Sequence, residues 1–468
     1  MQTSTRRAAA AAVLLMLAAG AGGCGGGGDA SSGGDGAGAP LKVWTLENLP
    51  DRLTATQSIV DGFTANTGVE VELIGIDENQ FNQLVTSAAA AGDLPDVIGA
   101  LSLPAVRTLS ANELLDTEAA AAVVDSLGAG TFFPRTLELT RDGGAQLSVP
   151  SDGWAQLLVY RKDLFDAAGL AVPDTYAAIR AGAEALDSDE VAGFVGATVP
   201  NDAFTQQTFE HLALGNGCEL VDDAGEVTID SQQCVDAFAF YGDLVTSYSV
   251  PGAQDVDTTR ATYFAGQAAM VVWSSFILDE MAGLREDAAP SCPECQTDPA
   301  FLAKNSGIVT AIAGPDGAKA AQFGEVVSWA ITAESANEPA RQFVEHMMSD
   351  GYEAWIGIAP EGKFPARQGN AEVATAYVDA WQTLPAGVTT KAPLSDFYRP
   401  EVLEALRTSP DTFSRWGITQ GQGDLVGAIL GELPVPQAVS ALAGGEVDAA
   451  EAAERAAESV SSIQDSLG

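Results

Sequence analysis

The sequence predicts an α/β protein with a body long enough for two lobes, on three observations. The chain has 468 residues, more than one hydrophobic core normally serves. Its first folded stretch alternates strand-like and helix-like patterns in the order β-α-β-α-β. Its middle and C-terminal parts return to long helical periodicities broken by short extended pieces.

Leu41-Lys42-Val43-Trp44-Thr45 is rich in β-formers and reads as a strand. Ala55 to Thr67 sets Ile59, Val60 and Phe63 on one helical face, and Gly68 is placed to stop that helix. Val69 to Ile76 alternates apolar Val69, Val71 and Leu73 with acidic neighbours, the period of a half-buried strand. Asn79 to Ala91 carries Phe81, Leu84, Val85 and Ala88 at helical spacing, and Pro95 to Gly99 reads as a short buried strand. Such alternation predicts a mainly parallel sheet in the first lobe. Farther on, Ser148-Val149-Pro150 and Leu157 to Tyr160 read as two extended pieces, and Lys162 to Gly169 as a short helix. A helix-rich stretch from Tyr176 to Met281 holds a short strand at Val227 to Ile229. Extended segments recur at Gly307 to Ala313 and Val326 to Ile331, and Ala449 to Leu467 is an Ala/Glu-rich helix.

The N-terminus is built for export. Arg6 and Arg7 precede an apolar run, Ala8 to Ala19, and small residues lead to Cys24. The run is short for a bilayer, which takes about 20 residues. Gly20 to Cys24 resembles a bacterial lipobox, with Ala21 where that pattern prefers Leu. The resemblance implies a signal peptide over 1–23, cleavage before Cys24, and a diacylglycerol on its thiol. Residues 24–40 then form a Gly/Ser-rich tether with no apolar payload and a reach of roughly 20 Å.

The formal charge is −42, with 64 acidic residues against 22 basic. That field repels nucleic acid, phosphates and anionic membranes, so no nucleic-acid partner is expected, and membrane contact only through the lipid. Beyond Cys24 four cysteines remain, and chain order suggests the pairs Cys218–Cys234 and Cys292–Cys295. The first closes a loop worth roughly 3 kcal/mol in the chain-entropy model. Only two histidines are present, His211 and His346, which leaves no metal set for the Cys292-Pro293-Glu294-Cys295 spacing. Its flanking prolines indicate a stapled loop.

Several segments, in order, resemble the extracellular solute-binding proteins of ABC importers, family 1, the carbohydrate type. Ala91-Gly92-Asp93-Leu94-Pro95-Asp96-Val97-Ile98 matches the family's turn into a strand. Val149-Pro150, then Leu158 to Leu170, matches a strand-and-helix run in which Arg161 stands for the usual Asn. Gly225 to Ser231 followed by Ala237 to Val245, and Phe264 to Met270 followed by Trp273, match two further patterns. Gly362 to Arg367 is similar to a later family loop. The resemblance covers nearly all of the chain beyond the tether. It implies a two-lobed periplasmic-binding-protein-like (Venus-flytrap) fold, with discontinuous lobes joined by a hinge. Lobe one would hold residues 41–148 plus about 307–348, and lobe two about 149–306 plus 349–468. The implied function is capture of a neutral mono- or oligosaccharide at the outer face of the membrane, by a monomer, for delivery to ABC permease subunits, with no cofactor.

A sugar site needs aromatic rings for C–H faces and polar side chains for hydroxyls, because an unpaired buried hydroxyl costs about 1–3 kcal/mol. Position and resemblance together nominate Trp44, Glu47 and Asn48 at the end of the first strand, and Ser102 after the third. Asp152 and Trp154 follow Pro150, Trp273 and Ser274 follow Met270, and Glu361 and Arg367 bracket the later loop. Trp329 and Trp381 read as core. The rival is a secreted carbohydrate hydrolase working through a carboxylate pair. No Gly-x-Ser-x-Gly and no His-Glu-x-x-His is present. Gly357 to Lys363 fits the spacing of a phosphate loop, but Phe364 stands where the magnesium-binding hydroxyl belongs.

Overall fold

Among the described residues nine strands carry the framework, and one of them serves two sheets. The computed structural model describes residues 39–335 and 338–467; the signal segment, Cys24 and nearly all of the tether lie outside them. The strands are β1 (Leu41–Thr45), β2 (Val71–Gly75), β3 (Val97–Leu101), β4 (Val149–Arg161), β5 (Met270–Ser274), β6 (Ser306–Val309), β7 (Gln322–Ile331), β8 (Phe364–Pro365) and β9 (Phe413–Ser414). β1 lies between β2 and β3, parallel to both, as the β-α-β-α-β pattern requires. β7 then adds antiparallel to β3, so this sheet is mixed rather than purely parallel.

The first half of β4 pairs antiparallel with β7, from Val149 opposite Trp329 to Ala155 opposite Gly324. From Gln156 onward it turns to other partners. Gln156 to Tyr160 pair with β5, and Leu158 to Arg161 with β6. The two extended pieces expected near 148–150 and 157–160 are thus one strand. All but one of its 13 residues are buried, so it lacks the polar alternation by which a half-exposed strand is recognised. The segment Val227 to Ile229 contributes only a bridge from Val227 to Val221.

Helix α1 (Pro50–Thr67) starts earlier than its apolar face suggested, with Pro at its first position, where the missing N–H costs nothing. It ends at Gly68 in the left-handed region, φ 75°. Helix α2 (Phe81–Ala91) and helix α3 (Leu103–Ala111) cover the first sheet. Helix α4 (Ala203–Gly215) packs on β7, on β4 and on helix α5 (Gln232–Ser247). Near the C-terminus come α6 (Gly423–Glu432), α7 (Pro434–Ala443) and α8 (Ala449–Leu467). α6 packs on α3, whereas α7 and α8 pack on α5. The direction changes by 50° at Leu433, whose φ of 54° is left-handed. No single helix among the described residues is long and apolar enough to cross a membrane.

Both expected cysteine pairs come together, with Cα atoms 4.6 Å apart for Cys218 and Cys234 and 5.0 Å for Cys292 and Cys295. Trp329 and Trp381 are buried core residues. The Trp329 ring lies directly over Gly99, where a Cβ would collide with it. Gly99→Ala should therefore overpack the sheet and lower unfolding free energy by about 1–3 kcal/mol. Urea unfolding of the two proteins checks this; an unchanged midpoint would refute the tight fit.

Candidate functional site

A cavity of about 440 Å³ opens where the two sheets meet, at the C-terminal ends of β1 and β3. Open α/β sheets place ligands at that edge, because the loops leaving the strands diverge there. The loop after β1 supplies Leu46 and Glu47, and the first turn of α1 supplies Arg52. β3 supplies Ala100 and, just past its end, Ser102. Ala100 sits at φ 59° where the pairing with β7 shifts register, which turns the chain toward the cavity. β4 presents Asp152 and Trp154, two residues apart and so on the same strand face. Ser274 and Phe276 come from the end of β5, Phe204 and Gln207 from α4, and Glu325 from β7. Glu78, Lys363 and Arg415 complete the charged lining.

The charges form two closed clusters. In the first, Glu47 accepts from Arg52 at 3.2 Å and from Lys363 at 2.6 Å. Lys363 also lies 3.4 Å from Asp152, with its ammonium 4.1 Å from the Trp355 ring centre. Asp152 further accepts from the Trp355 indole at 2.6 Å and the Ser151 hydroxyl at 2.7 Å. Burial opposes ionisation of the Glu47 carboxyl, but Lys363 and Arg52 together outweigh it and hold it at about 2. In the second cluster Arg415 bridges Glu210, at 3.2 Å, and Glu325. Glu325 also accepts the Leu103 N–H at 2.7 Å, and Glu210 the Trp416 N–H at 2.9 Å. Losing one partner of such a buried pair typically costs 3–5 kcal/mol, so these side chains are held in place before any ligand arrives.

Between the clusters runs a row of rings. The Arg415 guanidinium lies 4.5 Å from the Phe323 centroid, and Phe323 is 5.7 Å from Trp154. Trp154 is 6.5 Å from Phe276, over which Arg52 lies at 5.3 Å. The wall therefore combines apolar ring surface with fixed donors and acceptors, the equipment for polar, ring-shaped solutes.

Of the ten residues expected in the site, Glu47, Ser102, Asp152, Trp154 and Ser274 line this cavity. The other five do not. Trp273 neighbours Ser274 and so points to the opposite face of β5, where its indole donates to the Val256 carbonyl at 2.9 Å. Trp44 is half-buried against the cluster around Ile98, and Asn48 is exposed in its loop. Arg367 ties three segments, donating to Thr131 and to the Leu127 and Met348 carbonyls. Glu361 is buried just behind the lining residue Gly362. Arg52, Glu78, Phe204, Gln207, Phe276, Glu325, Lys363 and Arg415 line the cavity without having been anticipated. Glu325 had a signal, the one charged residue of a fully buried strand. Lys363 belongs to the phosphate-loop spacing, and its ammonium is engaged by two carboxylates.

Behind the wall lies a second acidic group. Among the described residues, neither carboxylate oxygen of Asp279, nor Oε2 of Glu361, has a hydrogen-bond partner, and both residues are buried. Burial first, and then the charge of Asp279, pushes the Glu361 carboxyl up to about 8. Burial and Glu280 push Asp279 up to about 7, against the pull of Arg285 and Arg52. Glu280 itself is raised to about 7 by burial, which Arg260 and Arg285 only partly offset. The folded protein thus holds protons that the unfolded chain releases near pH 4. Stability should be greatest at the acid side of this window and fall as pH rises from about 5 to about 8, by up to about 1.4 kcal/mol per pH unit per group. Glu361→Gln should flatten the fall; denaturant titrations at several pH values in both proteins check it, and equal slopes would refute it.

The family model for bacterial extracellular solute-binding proteins matches residues 47–354. The ABC transporter periplasmic-binding protein YcjN of Escherichia coli (strain K12) is 28% identical over 318 residues, 66% of this chain and 69% of that protein. Among solved structures, the GacH receptor of Streptomyces glaucescens, studied unliganded and with acarbose, superposes with a TM-score of 0.66 at 19% identity, covering 91% of this chain and 98% of that one. The cyclic α-maltosyl-1,6-maltose-binding protein of Arthrobacter globiformis gives 0.68 at 18% identity, covering 91% and 98%. A Thermotoga lettingae solute-binding protein bound with α-D-tagatose gives 0.67 at 19% identity, covering 92% and 100%. At these identities the superpositions establish the fold, two lobes meeting at a cleft.

Proposed function

We propose, from the premise that this chain belongs to the bacterial extracellular solute-binding protein family, that it captures a mono- or oligosaccharide outside the cell and delivers it to an ABC permease. The family consists of binding proteins rather than enzymes, and its members work outside the cytoplasm. The observation that carries the sugar assignment is the wall of the cavity, where Trp154, Phe204 and Phe276 alternate with ion-paired Glu47, Asp152 and Lys363. Rings cover C–H faces, and the spare valences of the charged groups serve hydroxyls. The solved relatives named for acarbose, tagatose and a cyclic maltosyl-maltose point the same way. The surplus of acid over the whole chain disfavours an anionic solute.

In this reading β4 is the hinge strand and its change of partner near Ala155 the boundary between lobes. Solute touching both sheets would favour the closed population, which the permease then distinguishes from the empty one. The reading includes a single working copy, two disulfides, and a lipid on Cys24 holding the protein at the outer membrane surface. Thermal-shift screening against a sugar panel tests the assignment: at least one sugar should raise the melting temperature, without being hydrolysed. A clear response to peptides or polyamines with none from any sugar would sink it. For a responding sugar, Trp154→Leu should weaken binding about tenfold or more in calorimetry. Cys24→Ala should move the exported protein from the membrane fraction to the medium; retention on the membrane would refute the anchor.

A further inference from the structure

We infer that the cavity takes a sugar bearing a protonated amine, with Glu78 the carboxylate that receives the ammonium. The inference rests on the sugar-binding reading above and narrows its substrate class. Glu78 opens the short helical turn Glu78–Gln80 between β2 and α2, and it lines the same cavity.

The argument is a charge balance. Each cation in the lining already holds a carboxylate: Arg52 has Glu47, Lys363 has Glu47 and Asp152, and Arg415 has Glu210 and Glu325. Three cations face four carboxylates, so these clusters are negative before Glu78 is counted. Glu78 has no hydrogen bond or ion pair among the described residues, and it is exposed at the edge of the cavity. The charges that act on it most are the carboxylates of Glu325, Asp77 and Glu47. Desolvation by the wall, then those neighbours, push its own carboxyl upward. A carboxylate so placed gains most from a ligand that brings positive charge.

The rings act in the same sense. The faces of Trp154, Phe204 and Phe276 carry the negative end of the aromatic quadrupole and attract cations. Phe276 already does this for the Arg52 guanidinium. A neutral sugar would use the rings and the paired charges but leave Glu78 without a partner. An acidic sugar would meet a net excess of carboxylates, because the three lining cations are already engaged.

The test uses matched pairs that differ only in an amine for a hydroxyl: glucosamine with glucose, galactosamine with galactose, and the β-1,4 glucosamine dimer with cellobiose. Calorimetry at low salt and about pH 6 keeps the amines protonated. In at least one pair the amino member should bind about tenfold more tightly, and the advantage should shrink as salt is raised. Glu78→Gln should bring the ratio within that pair close to one, with its unfolding midpoint confirming a folded protein. Equal or weaker binding of the amino member in every pair that binds would overturn this inference and leave the sugar reading standing. A ratio that survives Glu78→Gln would overturn the role of Glu78. No binding by any member of any pair would overturn this inference, while the sugar reading is decided by the wider panel.

Discussion

The architecture turns on a 13-residue strand that changes partners midway. β4 cannot satisfy its backbone in one sheet, because β7 accompanies it only as far as Ala155. Its remaining N–H and C=O groups must find β5 and β6, since a buried unpaired backbone group costs as much as a lost hydrogen bond. That requirement brings two α/β layers together along a line, and the cavity lies on that line. Asp152 and Trp154 belong to the stretch just before the exchange, so the two sheets and the site share one stretch of backbone.

Charge then locks the geometry. Asp152, Lys363, Glu47 and Arg52 form a chain from β4 to the first turn of α1, and Glu210, Arg415 and Glu325 form another across the cavity. Desolvating so many ions is unfavourable unless every partner is present. The network therefore fixes its members mutually, which is what a binding site requires of groups that must await a solute. Sugars gain from such order because their hydroxyls are directional and many.

Polarity also varies with depth. Apart from Glu78 the lining charges are paired, whereas Asp279 and Glu361 behind them have, among the described residues, carboxylate oxygens without partners and keep protons that water-exposed carboxylates would lose. Both lie close to wall residues, Asp279 three positions after Phe276 and Glu361 beside Gly362. Their ionisation bears on how tightly these two segments pack, since Gly362 rests directly against the Phe276 ring.

The sequence by itself determined the local elements and the class of fold. Period-2 and period-3.6 patterns located β1, β2, β3 and the helices between them, and Ala449 to Leu467 is the terminal helix it promised, because such patterns record burial of one face by neighbours in the chain. It nominated Glu47, Ser102 and Ser274 at strand ends, where position alone puts a residue at the cleft edge, and Asp152 and Trp154, inside β4, through the family resemblance. Tertiary structure decided the rest. Strand phase at β5 turned Ser274 in and Trp273 away, a choice that shifts with one residue of register. Arg52, Phe276 and Lys363 reached the cavity through packing between segments some 85 to 310 residues apart, and Arg415 entered through a pair of glutamates on α4 and β7. No periodicity encodes such meetings. They follow from which surfaces exclude water together, and that is settled only when the whole chain has folded.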